Sequence, residues 1–177
     1  MQIYYGDSLA IISYNFAYYM PEYFARHQLY GNPATPTVVF DGTDIVFEPN
    51  PDVFDSVFNQ HIVVARSFVP SFNLNLTGSA TASSGNLHIK INPADTLYHN
   101  SVFAYVAICE DSIAGMMRAF NYVVRKLYSF PVNLFFPDSL DTIINFTHSI
   151  PVNKMSGALF IQDMNTKKIL QAIKTRF

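Results

Sequence analysis

Two stretches of strict two-residue alternation constrain this chain more than any other feature. In Phe72-Asn73-Leu74-Asn75-Leu76-Thr77 every second residue is apolar, and Leu87-His88-Ile89-Lys90-Ile91-Asn92 repeats the pattern. Successive side chains of a strand point to opposite faces, so each stretch predicts a strand with one buried and one wet face. Strand-like segments continue at Val102–Cys109, Phe120–Leu127, Thr142–Thr147, Ala158–Gln162 and Lys168–Ile173. Turn signals separate several of them: Ser83-Ser84-Gly85-Asn86, Asn92-Pro93-Ala94-Asp95, Pro137-Asp138 and Asn165-Thr166. Residues 114–119 read as a loop or a single helical turn.

About seven strands in about 110 residues predict an antiparallel β-sandwich of immunoglobulin-like or fibronectin-like architecture. The disulfide and Trp of antibody domains are absent, because the chain has one Cys and no Trp. Half of the 177 residues are hydrophobic and 14% are charged, which excludes an intrinsically disordered chain. A compact chain of this length buries about 70% of its unfolded surface. A core is therefore expected without disulfides, metals or cofactors. The net charge is −2 with 11 Lys and Arg, so no nucleic acid is expected as a main partner. No apolar run approaches the roughly 18 residues of a membrane helix, so no transmembrane segment is expected. Residues 1–15 lack a basic region followed by an apolar stretch, so no signal peptide is expected in this chain.

Charge divides the sequence. Residues 1–60 hold seven carboxylates and a single cation, Arg26, a net of −6; the remainder carries +4. The pattern type changes at the same place, from mixed helix and strand signals to strands alone. Pro70 interrupts an apolar run near the change. We expect two domains, residues 1–67 and residues 68–177, whose opposite charges favour docking.

The first part reads as strand, helix, hairpin, helix. Leu9–Tyr14 is a short apolar run without alternation, as in a strand covered on both faces. Pro21 and Glu22 suit a helix start. Tyr23, Phe24, His27 and Tyr30 recur at helical spacing, and Gly31 is a stop. Thr37–Phe40 is a β-branched strand, Asp41-Gly42 a hairpin turn and Ile45–Phe47 the return strand. Asn50-Pro51 caps a second helix, with Val53, Phe54, Val57, Phe58 and His61 on its core stripe. The strand–helix–strand order predicts that Leu9–Tyr14 and Thr37–Phe40 form a parallel pair with a right-handed crossover.

The segment Ala34 to Gly42, with the second strand and final helix behind it, resembles the C-terminal half of a thioredoxin fold. The resemblance implies a cis Thr35–Pro36 bond, and cis bonds are nearly confined to proline. It also implies that the loop at Thr35 and Pro36 touches bound peptide; the alternative is that a cis bond only shapes the strand entry. Thioredoxin-like oxidoreductases carry Cys-x-x-Cys at the start of the fold's first helix. This chain has neither the motif nor, by this reading, that first strand and helix. The missing strand normally lies between those matching Leu9–Tyr14 and Thr37–Phe40. Either the remaining strands pair directly or another chain, such as a second copy in a homodimer, fills the gap.

Across nearly its whole length the chain resembles the outer-membrane-protein-twenty-eight-related family, secreted bacterial proteins with a thioredoxin-like front and a β-sandwich back. The resembling pieces are Leu9–Tyr14, Tyr30–Gly42, Val106–Asp111, Asn121–Arg125 and Phe160–Ala172. The fold class implied is α+β: a partial thioredoxin-like α/β domain lacking its first strand and helix, then an immunoglobulin-like antiparallel β-sandwich. The implied location is secreted, periplasmic or outer-membrane-associated.

Candidate sites are few. Cys109 lies in an apolar run beside Glu110 and Asp111, which oppose a thiolate, so a packed core cysteine is expected. His27, His61, His88, His99 and His148 show no zinc-ligand spacing; His27 and His61 read as core or boundary residues and His88 faces water with Lys90. The acidic turns Asp41–Asp44 and Asp138–Asp141 offer oxygens for calcium, but turn chemistry alone explains them. Basic Lys167, Lys168, Lys174 and Arg176 read as a solvated strand edge. Tyr4, Tyr5, Tyr18 and Tyr19 are aromatics that a carbohydrate-binding module would use. No nucleophile elbow or phosphate loop is present. The expectation is therefore a non-catalytic exported interaction or scaffolding protein of the bacterial envelope, partnered by a protein or peptide. The alternatives are a fragment of a thiol–disulfide oxidoreductase whose Cys-x-x-Cys segment lies upstream of Met1, and a carbohydrate- or surface-binding module.

Overall fold

The computed structural model describes residues 9–14, 21–94, 101–114 and 119–177. Tyr4, Tyr5, Tyr18, Tyr19 and His99 fall outside them. In chain order the elements begin with α1 (Pro21–Leu29), β1 (Thr37–Phe40), β2 (Asp44–Phe47) and α2 (Phe54–Ala65). Then follow β3 (Phe72–Ala80), β4 (Ser84–Pro93), β5 (Val102–Glu110), β6 (Ile113–Ala114) and β7 (Ala119–Phe120). The last four are β8 (Val123–Pro131), β9 (Leu140–Thr147), β10 (Met155–Asp163) and β11 (Ile169–Arg176).

The strands after residue 70 form two antiparallel sheets, one in the order β11-β10-β5-β8 and one in the order β3-β4-β9. Their inner faces meet in one core. It contains Leu87, Ile89 and Ile91 of β4, Val106 and Ile108 of β5, and Leu159 and Ile161 of β10, all buried. Burying each such side chain contributes about 1.5–3 kcal/mol. The alternation in β3 and β4 is thus a two-faced pattern: the core on one side, water on the other. His88 and Lys90 stand on the wet face as expected, and both pair with Asp141 of β9, at 2.5 and 2.9 Å. Asp141 therefore belongs to a strand rather than to the acidic turn assigned from sequence. The hydrogen bonds from His88, then Lys90, hold its carboxyl below the ordinary aspartate value.

β5 and β10 behave differently, because both of their faces are covered. Residues 155–162 of β10 are all buried. Such strands read as continuous apolar runs instead of alternation. Their outer face carries Cys109, Ala107 paired with Ala158, Tyr105 paired with Phe160, and Phe103 paired with Gln162. Small residues at one end and aromatics at the other shape the bed for a third layer. Ile12 and Tyr14 pack on Ala107, Cys109, Val124 and Ala158, and α1 lies over Tyr105 and Phe160 through Arg26.

The expected parallel pair is not formed between Leu9–Tyr14 and Thr37–Phe40. Ser13 instead makes a parallel bridge to Val123 at the edge of β8, with Ser13 N donating to Tyr122 O at 2.8 Å and Val124 N donating to Ser13 O at 2.9 Å. The physical reason is tertiary. The β8 edge offers backbone donors and acceptors, and the apolar bed beside it takes Ile12 and Tyr14. The strand expected from Phe120 is also shifted. Ala119–Phe120 pairs with Ile113–Ala114 in a short ladder, residues 115–118 lie outside the description, and Tyr122 adopts φ 57 before β8 begins.

The rest of the front layer follows its local signals. Gly31 ends α1 at φ 82. β1 and β2 form an antiparallel hairpin from Thr37↔Phe47 to Phe40↔Asp44. Asn50 Oδ1 accepts from Asp52 N at 3.0 Å, capping the 3-10 turn Pro51–Val53 that leads into α2. Phe58 and Ile62 are the buried residues of α2, with Phe40 against Phe58 at 5.6 Å between ring centroids. At the hairpin tip Gly42 has φ 78, and a Cβ there would stand 1.9 Å from Lys167 O. Ile169 N donates to Asp41 O at 2.7 Å. The hairpin tip is thereby seated on the β10–β11 turn. The basic tail is less free than its sequence implied: Arg176 bonds Asp111, and the Lys168 ammonium sits 4.0 Å above the Phe68 ring.

Candidate functional site

The Thr35–Pro36 bond is cis, and both residues are exposed at the entry of β1. A second cis bond, Phe136–Pro137, had no distinguishing signal in the sequence. The hydroxyl of Thr37 bonds Ala34 O across the cis turn. His27 Nε2 donates to Pro33 O at 2.9 Å, and its ring stacks on Tyr23 at 5.4 Å. Helix α1 thus braces the segment that leads into Pro36.

Beyond Pro36, β1 pairs with β2 on one side only. Among the described residues no strand pairs with its other edge. In an antiparallel ladder alternate backbone groups point away from the partner, so among the described residues the outward donors and acceptors of this half-buried strand have no strand partner. One face of the hairpin is covered by α2, where Phe40 stacks on His61 at 5.2 Å and Asp44 bonds His61 Nδ1. The opposite face is open: Ile45 and Phe47 are 47% and 52% exposed. Those two side chains belong to β2, across the hairpin from the unpaired edge of β1; an unpaired edge is the basis of strand addition, in which backbone bonds give affinity and side-chain pockets give selectivity.

Sulfur chemistry is not offered here. Cys109 is buried, and burial, with Asp111 adding to it, pushes its thiol up to about 12. It stays protonated near neutrality, whereas the thiolate is the reactive form. The His61–Asp44 pair is oriented and partly exposed, but among the described residues no group of three or more His, Cys, Asp and Glu side chains is placed to hold a metal ion.

The residue that ties this layer down was not singled out in the sequence. Arg26 is 5% exposed. Its guanidinium lies 3.8 Å above the Tyr105 ring, and Nη1 donates to Gln162 Oε1 at 2.5 Å. Gln162 Nε2 donates in turn to Tyr30 Oη at 3.1 Å and Lys167 O at 2.6 Å. Arg26 Nη2 and Tyr14 Oη are buried without a hydrogen-bond partner. Burial raises the Tyr14 hydroxyl, with Arg26 opposing. Two signals were available: the lone cation of an acidic stretch, and a Gln that closes the apolar run Ala158–Ile161. Arg26, the one cation of residues 1–60, is held by rings and an amide.

No family model matches the sequence, and no curated protein matches it. Among solved structures, HBP35 of Porphyromonas gingivalis is similar at a TM-score of 0.71 with 13% identity, over 88% of this chain and 56% of that one. The chain therefore spans little more than half of that protein, and the likeness is one of fold. A domain of the outer membrane lipoprotein Omp28 from Porphyromonas gingivalis gives a TM-score of 0.43 with 14% identity, over 62% of this chain and 90% of that one. A β-glucosidase from Kluyveromyces marxianus gives 0.38 with 9% identity, over 60% and 14%. Neither of these two scores carries an argument.

Proposed function

We propose that this chain is a non-catalytic, exported bacterial protein of the cell envelope that docks an extended polypeptide along β1 at the cis-Pro36 turn. On this reading residues 1–67 are a partial thioredoxin-like unit and residues 68–177 an immunoglobulin-like sandwich that carries it. The observation behind the reading is the unpaired edge of β1, flanked by exposed Thr35 and Pro36 and by the open face at Ile45 and Phe47. Burial of Cys109 supports binding without thiol exchange. The envelope location rests on the family resemblance in the sequence. The test is a backbone-amide NMR titration with a pool of unstructured peptides. Shifts concentrated at residues 35–40 are expected. Saturable shifts confined to other strands, or none at all, overturn the reading; so does a tight dimer with β1 amides protected, because a second copy then fills the edge.

The resemblance of residues 34–42 to a thioredoxin fold leaves one other reading, a fragment of a longer thiol–disulfide oxidoreductase whose Cys-x-x-Cys segment lies upstream of Met1, and a span of 56% of HBP35 is compatible with a longer protein. For the chain as given, insulin reduction should be blank. Finding that motif in the upstream reading frame would move the assignment to this second reading.

A further inference from the structure

One buried charge in this fold lacks an opposite charge among the described residues. Arg26 is 5% exposed, and an arginine side chain stays protonated in proteins. A charge out of water is ordinarily paired, because leaving it unpaired is costly. The partners of this guanidinium are neutral: the Gln162 amide oxygen on Nη1, and the Tyr105 and Phe160 rings at 3.8 and 5.2 Å. The rings attract the cation but take none of its N–H groups. Nη2 is buried with no hydrogen-bond partner. The carboxylate adjoining Gln162 in the chain, that of Asp163, accepts instead from the backbone N–H groups of Asn165 and Thr166.

A second orphan stands beside it. The Tyr14 hydroxyl oxygen is also buried without a partner. On the outer face of β5 and β10 the Ala107–Ala158 pair adjoins the Tyr105–Phe160 pair. Tyr14 packs on the first pair and Arg26 on the second, so the two side chains occupy neighbouring places on one face. The charge of Arg26 acts on the Tyr14 hydroxyl, which burial nonetheless keeps protonated. Both orphans are therefore donors, a charged N–H and a phenolic O–H. What they lack is an acceptor. A neutral oxygen would satisfy the hydrogen bonds and leave the charge uncompensated, whereas an anion does both. Both atoms are closed off from solvent, which suits an ion of atomic size.

We propose that Arg26 Nη2 and Tyr14 Oη together hold one buried halide ion, chloride in ordinary salt, as the counter-charge that locks α1 onto the sandwich. The site uses no residue of β1, so it stands or falls independently of the peptide reading. The test is the urea midpoint of the full chain as chloride replaces methanesulfonate at constant ionic strength. A ligand of the folded state stabilises it once its concentration passes the dissociation constant, so the midpoint should climb with chloride. Tyr14→Phe keeps the ring and removes the O–H. It should move the chloride concentration at which the climb begins about tenfold higher, the scale of one charged hydrogen bond. Arg26→Met should remove the dependence; if that variant does not fold, Tyr14→Phe decides. In crystals grown with bromide, anomalous scattering should place one ion bonded to Arg26 Nη2 and Tyr14 Oη. A midpoint indifferent to chloride, an unchanged response in Tyr14→Phe, bromide bound elsewhere, or a water molecule at that place overturns the proposal. A bromide at the site with no effect on stability is an adventitious ion only, and overturns it as well.

Discussion

β1 and β5 are both built from β-branched and aromatic residues, yet they sit in opposite circumstances. β5 is paired on both edges, by β10 and β8, and covered on both faces. Among the described residues β1 is paired on one edge, in a hairpin whose second face is left open at Ile45 and Phe47. A two-stranded hairpin is marginal by itself in water, so the front layer borrows its order from α2, from the seated Gly42 turn and from Arg26. Stability concentrates where strands are doubly paired, and binding capacity where they are not; low local stability is what lets a segment accept a partner.

That contrast is most sharply tested in the core. Leu159→Ala, at a fully buried site of β10, should cost about 2–5 kcal/mol and lower the urea midpoint of the whole chain. Arg26→Ala comes next, at about 1–3 kcal/mol, because it removes the contact with the Tyr105 ring and strands the buried amide of Gln162. Hydrogen exchange should then accelerate in residues 21–47 while β5 and β10 keep their protection. Gly42→Ala should cost about 1 kcal/mol or more, since its left-handed backbone and the Lys167 carbonyl leave no room for a methyl group; its effect should be confined to the hairpin and the β10–β11 turn.

The smallest effect concerns pH. The carboxyl of Asp141 is held below its ordinary value by His88 and Lys90. A depressed carboxyl stabilises the fold above the unfolded value, near pH 4, and this stabilisation fades as pH falls through the folded value. An NMR titration should find Asp141 titrating lower than an unpaired aspartate. In Asp141→Asn the acid limb of the stability curve should flatten slightly.

The elements were more legible than their partners. Alternation disclosed β3 and β4 because one face is wet, and the doubly covered β5 and β10 announced themselves as apolar runs. The Asp41-Gly42 turn carries a local backbone signature, so its geometry was readable from adjacent residues, whereas the cis Thr35–Pro36 bond was expected only from the resemblance to a thioredoxin fold. The Ser13–Val123 bridge was not, because 110 residues separate its ends and nothing local chooses between β8 and β1. Arg26 stood out in the sequence only as the lone cation of residues 1–60, because the assembled sheet alone supplies the rings that hold it.

The account rests on β1 keeping a free edge that a polypeptide can take. Residue-resolved amide exchange of the full chain, with and without the peptide pool, measures this directly. The outward-facing amides of residues 37–40 should exchange fast in the free chain, far ahead of those in β5, and slow down when peptide is added. If they are already as protected as β5 in the free chain, or if added peptide leaves them unchanged, the edge is not a docking site and the account is contradicted.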